Sequence, residues 1–245
     1  MSIRCLVVAL LVSIASVTPS FAQAPAEPKI WTVQLSAGLA LTSGNTDTST
    51  VNAAYDLVYN PQTKNVVKSD ALLLRGKTEG ELTANRIGFN VRDEYSLTPR
   101  TFVFGQNAFL KDEFKQIDYL LAPTGGVGYK LFDTMATKLS VDGSAGVVWE
   151  KNPGFDVSSS GAIALGEKLN QTLTKTTTVT QSIAALWKTK NFDDALYTFG
   201  VGVAAAMSTK TQLKIELLDT YKNLPPLPTV QKNDVALLMA IVYKM

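Results

Sequence analysis

The stretch KLSVDGSAGVVWEKNPGF, residues 138–155, decides how the rest of the chain is read. Leu139, Val141, Ala145, Val147 and Trp149 are apolar and fall on odd numbers. Ser140, Asp142, Ser144 and Glu150 are polar and fall on even numbers. A period of two over this length is a β-strand with one apolar and one polar face. Strands in soluble proteins usually run to about 5–6 residues. This one continues until Asn152-Pro153-Gly154 breaks it, and it carries a tryptophan at the end of its apolar stripe.

The same pattern repeats along the chain. In WTVQLSAGLALT the apolar face is Trp31, Val33, Leu35, Ala37, Leu39 and Leu41; in TSTVNAAYDLVYN it is Val51, Ala53, Tyr55, Leu57 and Tyr59. Ile87, Phe89 and Val91 oppose Arg86, Asn90, Arg92 and Glu94. The final segment places Val235, Leu237, Met239, Ile241 and Tyr243 on one face. No helical period interrupts the series. Turn residues divide it at SGNTDT, NPQTKN, KTEGE, LTPR, FKQI, FDTM, KNPGF, EKLNQ, TKNFDD, MSTK and NLPPLPTVQK, giving about twelve strands.

The N-terminus supplies a compartment. Arg4 is followed by the apolar run CLVVALLVSIASV and then TPSFAQA, with Ser20 and Ala22 at the small-residue positions of a cleavage site. That is the form of a secretory signal peptide over residues 1–22, too short to cross a bilayer, which takes about 20 apolar residues. Residues 23–29 read as a flexible leader and 30–245 as one folded unit. The only cysteine, Cys5, lies inside the expected signal, so no disulfide is available to the folded part. Lys and Arg number 23 against 21 Asp and Glu, a balance that argues against nucleic acid as a partner.

An exported chain of long alternating strands points to an all-β fold, a single antiparallel transmembrane β-barrel of about 12 strands. About 9–11 tilted residues cross a bilayer as a strand. In lipid every backbone group must pair internally, so only a closed sheet serves. Trp31, Tyr55, Tyr59, Phe102, Trp149, Trp187, Tyr197 and Tyr243 are the expected aromatics at the two membrane interfaces. With both termini on one side, the turns NPQTKN, LTPR, FDTM, EKLNQ and MSTK fall at that end, and the longest connection, NLPPLPTVQK, at the other. A soluble sandwich or periplasmic barrel binding a small ligand would share the period of two.

The chain has no histidine. This removes Ser-His-Asp and Cys-His nucleophile systems and histidine metal sites. The pairs Asp93-Glu94, Asp112-Glu113 and Asp193-Asp194 are adjacent in strands, where neighbours face opposite sides, so none is a ready acid–base dyad. GGVG at 125–128 lacks the Lys-Ser/Thr of a phosphate loop. No cofactor, metal or catalytic residue is expected. If the apolar stripes face lipid, the opposite face lines a lumen with Asp56, Arg86, Arg92, Glu94, Lys111, Glu113, Asp142, Glu150, Lys214 and Glu216. Mutually paired, these charges close the barrel; hydrated, they line a narrow channel for ions or small polar solutes.

SAGLALTSGNTDTST, KDEF with IDYLLAPTGGVGYKLF, and NDVALLMAIVYKM resemble the salt-induced outer membrane proteins, the family of domain of unknown function 481. The specific parts are Gly44-Asn45-Thr46, Asp112-Glu113-Phe114, Asp118-Tyr119 and Gly126-Val127-Gly128-Tyr129. The resemblance implies a Gram-negative cell outer membrane barrel, with outer-membrane lipid and the barrel assembly machinery as partners and a link to salt or osmotic stress. It implies no established activity. Nothing in the sequence sets an oligomeric state.

Overall fold

The computed structural model describes residues 29–42 and 48–245. The expected signal peptide, all of the leader except Lys29, and the Gly44-Asn45-Thr46 turn lie outside them. The described residues form twelve strands: β1 (Trp31–Thr42), β2 (Thr48–Tyr59), β3 (Asn65–Thr78), β4 (Glu81–Ser96), β5 (Thr101–Asp112), β6 (Ile117–Asp133), β7 (Thr137–Lys151), β8 (Ser158–Thr172), β9 (Thr177–Lys188), β10 (Asn191–Ala206), β11 (Thr211–Lys222) and β12 (Asn233–Lys244). Each pairs antiparallel with its neighbours in sequence, and β12 pairs with β1 to close the barrel. A closed antiparallel barrel has no open sheet edge, which excludes the sandwich expectation.

Both strand termini, Trp31 and Lys244, lie at one end, here the terminus end. The connections there are short: residues 60–64, 97–100, 134–136, 173–176 and 207–210. At the far end the longest described connection is 223–232, as its Pro-rich sequence implies. The turn expected at EKLNQ is misplaced. β8 runs through it to Thr172, and the chain reverses at 173–176, where the Thr174 hydroxyl accepts from the Thr176 and Thr177 amides (3.2 and 3.0 Å). A hydroxyl that satisfies turn amides is a stronger stop than Asn-Gln within a good alternation.

Two glycines answer specific demands. Glu79-Gly80 joins β3 to β4 with both residues at positive φ (51° and 83°), the backbone of a tight hairpin turn whose twist suits the strands. Gly38 stands at the closing seam. The β1–β12 register runs only from Gln34↔Lys244 to Ala37↔Ile241. One residue on, a Cβ at position 38 would overlap the Met239 carbonyl. Asn52 of β2 reaches over this glycine and donates to the same carbonyl (3.3 Å).

Register assigns the faces. Directly paired residues share a face, and Leu35, Leu39, Leu73, Ile87, Leu165 and Ile215 are exposed on the outside. Odd-numbered residues therefore point outward through most of the wall, and even-numbered residues point inward.

Candidate functional site

The lumen is where the chemistry-bearing side chains converge. At its far end Glu150 of β7 is 2% exposed and takes two lysines, Lys222 of β11 (2.7 Å) and Lys188 of β9 (2.8 Å). Asp194 of β10 completes the group, 2.6 Å from Lys188 and 3.6 Å from Lys222. Asn152 donates to Glu150 (3.0 Å). Four strands thus meet in one cluster of two cations and two anions. A charge this far from water is tolerable only when paired and hydrogen-bonded.

Two further ties cross the far end. Arg86 of β4 donates to the Thr220 hydroxyl of β11 and lies 3.8 Å from Asp112. Lys115, fully buried in the β5–β6 turn, donates to the Gln231 and Lys232 carbonyls (3.1 and 2.8 Å) and pairs with Asp234 (2.8 Å). The turn is thereby tied to the 223–232 connection. Between that turn and connection lies a cleft of about 550 Å³ lined by Glu113, Phe114, Asp118, Pro153 and Val230, among others.

The interior beside these charges is apolar. Leu110, Ile117, Leu120, Ala122, Val148 and Ala162 form one buried cluster, with Ala108, Leu186 and Leu196 packed against it. Leu120 is directly opposite Glu150 in the β6–β7 ladder. From other parts of the wall, Leu74 and Leu238 are also buried.

The terminus-side half differs. Arg92 of β4 donates to Glu94 (2.9 Å), to Gln106 (3.0 Å) and to Asp142 of β7 (3.0 Å), with its guanidinium 3.5 Å from the Phe104 ring centroid. Lys68 pairs with Glu94 (2.7 Å), and Lys214 with Glu216 (2.8 Å). Asn90 donates to Asp70 (3.2 Å). Exposure is mixed here: the Lys68 side chain is 41% exposed, whereas Arg92 and Glu94 are 12% and 10% exposed beside the buried Phe102 and Phe104.

Of the expected lumen charges, Asp56, Arg86, Arg92, Glu94, Asp142, Glu150, Lys214 and Glu216 stand on the inward face. Lys111 does not. It pairs with the outward Ile87, and Asp112 takes the inward position. Glu113 lies outside the wall, exposed in the β5–β6 turn. Of the expected interface aromatics, Trp31, Tyr55, Tyr59, Trp149, Trp187, Tyr197 and Tyr243 share the outward parity. Trp31 stacks near Tyr59 at the terminus end (4.3 Å), and Trp187 donates to the Tyr197 hydroxyl at the far end (3.0 Å). Phe102 is the exception: it is 3% exposed inside the barrel, 5.6 Å from Arg92. All three errors concern β5 and its turn, where the inward face (Phe102, Phe104, Ala108, Leu110) is as apolar as the outward one.

Lys68, Lys115, Lys188 and Lys222 are not among the residues expected from sequence, and Asp112 and Asp194 enter that reading only as members of adjacent acidic pairs, not as lumen charges. Lys188 and Lys222 were legible in principle, since each follows an aromatic of the outward stripe, Trp187 and Tyr221. Lys115 gave no signal, because a turn residue has no parity. Among the described residues no group of acidic, histidine or cysteine side chains has the arrangement of a metal site.

Comparison with known structures places the architecture. The COG4313 outer membrane channel from Pseudomonas putida F1 superposes with a TM-score of 0.50 at 14% identity, over 94% of this chain and 100% of that one. That likeness shows the fold. The NanC porin (TM-score 0.49, 9% identity, 86% and 96% covered) and the KdgM porin in complex with disordered oligogalacturonate (0.48, 6%, 86% and 98%) lie further away. No curated protein matches the chain. Residues 35–245 match the family described as protein of unknown function, DUF481, and the chain belongs to that family.

Proposed function

We propose that this protein is a non-enzymatic outer-membrane β-barrel of the cell envelope, with its termini on the periplasmic side and its lumen closed toward the cell surface. The observation that carries closure is the Glu150–Lys188–Lys222–Asp194 cluster, set among buried leucines and bridging four strands. A solute passing the far end would have to break paired, dehydrated charges.

The membrane reading is supported by the outer surface. Exposed Leu35, Leu73, Phe89, Leu165, Ile215 and Ile241 belong to a continuous apolar belt. A soluble protein with such a surface would associate, whereas a bilayer covers it. Aromatics edge the belt: Trp31, Tyr59, Tyr95, Tyr129 and Tyr243 toward the terminus end, Trp149, Trp187, Tyr197 and Tyr221 toward the far end. The short turns match the periplasmic side of bacterial barrels. Outer-membrane lipid and, during biogenesis, the barrel assembly machinery are the partners this implies. The lack of histidine supports a non-enzymatic role. The link to salt or osmotic stress rests on the family resemblance, and growth of a deletion strain at raised salt tests it.

A narrow pore is the second reading. The solvent-exposed charges of the terminus-side half favour it, since Asp56, Lys68 and Lys168 line a hydrated entry. Swelling of proteoliposomes in small sugars and salts separates the two. The closed barrel gives no swelling above empty vesicles; swelling that falls with solute size establishes the pore. Recovery of the protein from cells without detergent would overturn both.

A further inference from the structure

The terminus-end turns repeat one construction. In the β4–β5, β8–β9 and β10–β11 turns the first residue's amide donates to the carbonyl four residues on: Leu97 to Thr101, Leu173 to Thr177 and Met207 to Thr211, each at 2.9 Å. The next residue, Thr98, Thr174 or Ser208, accepts from two following amides at 2.9–3.2 Å. Such hydroxyl-capped turns hold their shape. Each presents a large apolar side chain more than half exposed, Leu97, Leu173 or Met207, beside an exposed cation, Arg100, Lys175 or Lys210. The β6–β7 turn, capped by Thr134, presents Met135, and the exposed Lys138 follows at the start of β7, opposite Asp133.

These cations have no ion pair among the described residues. The carboxylates of this rim are already engaged, Asp133 by Lys130 (3.1 Å) and Asp93 by Asn65 (3.0 Å). The far-end connections differ: Glu79, Glu113, Asp156 and Asp193 stand among their lysines. One rim of the barrel therefore carries these unpaired cations with exposed apolar side chains beside them.

We infer that this rim is a binding ring for anionic phospholipids of the leaflet at the terminus end. The inference rests on the membrane reading above. Phospholipid answers both halves of each turn. A headgroup phosphate meets the cation, and the glycerol–acyl boundary covers the leucine or methionine, as amphipathic side chains do at membrane interfaces. A soluble polyanion meets only the cations and leaves four large apolar side chains in water.

The test uses the full chain, folded in detergent, given equal phosphatidylglycerol and phosphatidylcholine, with retained lipid counted by native mass spectrometry. Phosphatidylglycerol is expected to be retained preferentially. The preference falls at least about tenfold in Arg100→Gln/Lys138→Gln/Lys175→Gln/Lys210→Gln. It also falls in Leu97→Ser/Leu173→Ser/Met207→Ser, which keeps every charge. The heat-shifted gel band confirms that each variant is folded. Equal retention of both lipids by the parent overturns the ring. So does a charge variant that loses dextran sulfate binding while keeping its lipid preference, which would assign the rim to a soluble polyanion. Failure to enter vesicles of either lipid would instead overturn the membrane reading itself.

Discussion

Glu150 holds two lysines where water barely reaches, and their dependence on it is unequal. Removing Lys222 leaves Glu150 paired with Lys188, whereas removing the Glu150 charge strands two cations with only Asp194 between them. Glu150→Gln should therefore cost about 3–5 kcal/mol, the penalty for an uncompensated buried charge. Lys222→Met should cost clearly less, since the two anions it leaves are Glu150, still 2.8 Å from Lys188, and Asp194, whose side chain is 22% exposed and keeps its contact with water. Urea midpoints of the detergent-folded protein check the order, and equal losses would count against the cluster as drawn. A second residue-scale prediction concerns Gly128, whose added Cβ would overlap the Phe102 ring inside the barrel. Gly128→Ala should destabilise by about 1–3 kcal/mol as an overpacked site. Phe102→Ala in the same chain should recover part of that loss. Additive effects in the double-mutant cycle would place Phe102 elsewhere.

Strands were legible because their outward faces are apolar and their inward faces are mostly not. β7 shows this directly: its odd stripe from Leu139 to Trp149 was assigned to the outside, and its even residues Asp142 and Glu150 do reach the lumen. β5 was legible as a strand but not in its facing. Hydropathy cannot orient a strand that is apolar on both sides; pairing can, because Phe109 lies opposite Phe89 and Lys111 opposite Ile87. The β5–β6 bulge between Leu110 and Asp112 hides the parity further. The closing seam was not legible either. Nothing local to WTVQLSAGLALT announces that Gly38 lies under a carbonyl of the last strand. Gly38→Val should force β12 away from β1 and shorten an already short ladder. The compact gel band should then be lost at a lower temperature than in the parent. An unchanged transition would show that the seam tolerates a side chain there.

At the scale of the whole molecule, the Glu150 cluster and the apolar core gather in the far half of the barrel, while the terminus half mixes the exposed Asp56, Lys68 and Lys168 with Arg92 packed against the buried Phe102 and Phe104. Single residues gave the charges but not this arrangement. It arises from which charges the closed topology brings within reach: Arg86 to Thr220, Lys115 to Asp234, Lys222 to Glu150. Each tie joins residues far apart in sequence, which alternation cannot foresee. If packing and ion pairing close the barrel, loosening both should open it. Leu120→Ser/Val148→Ser combined with Glu150→Ala/Lys222→Ala should convert a silent barrel into a conducting one, provided that the gel band shows it folded. The measurement that tests closure most directly is single-channel recording of the folded parent protein in a planar bilayer. The parent should insert and remain silent while the loosened variant gives discrete steps. Discrete, reproducible steps from the parent would contradict the closed lumen and make the protein a pore.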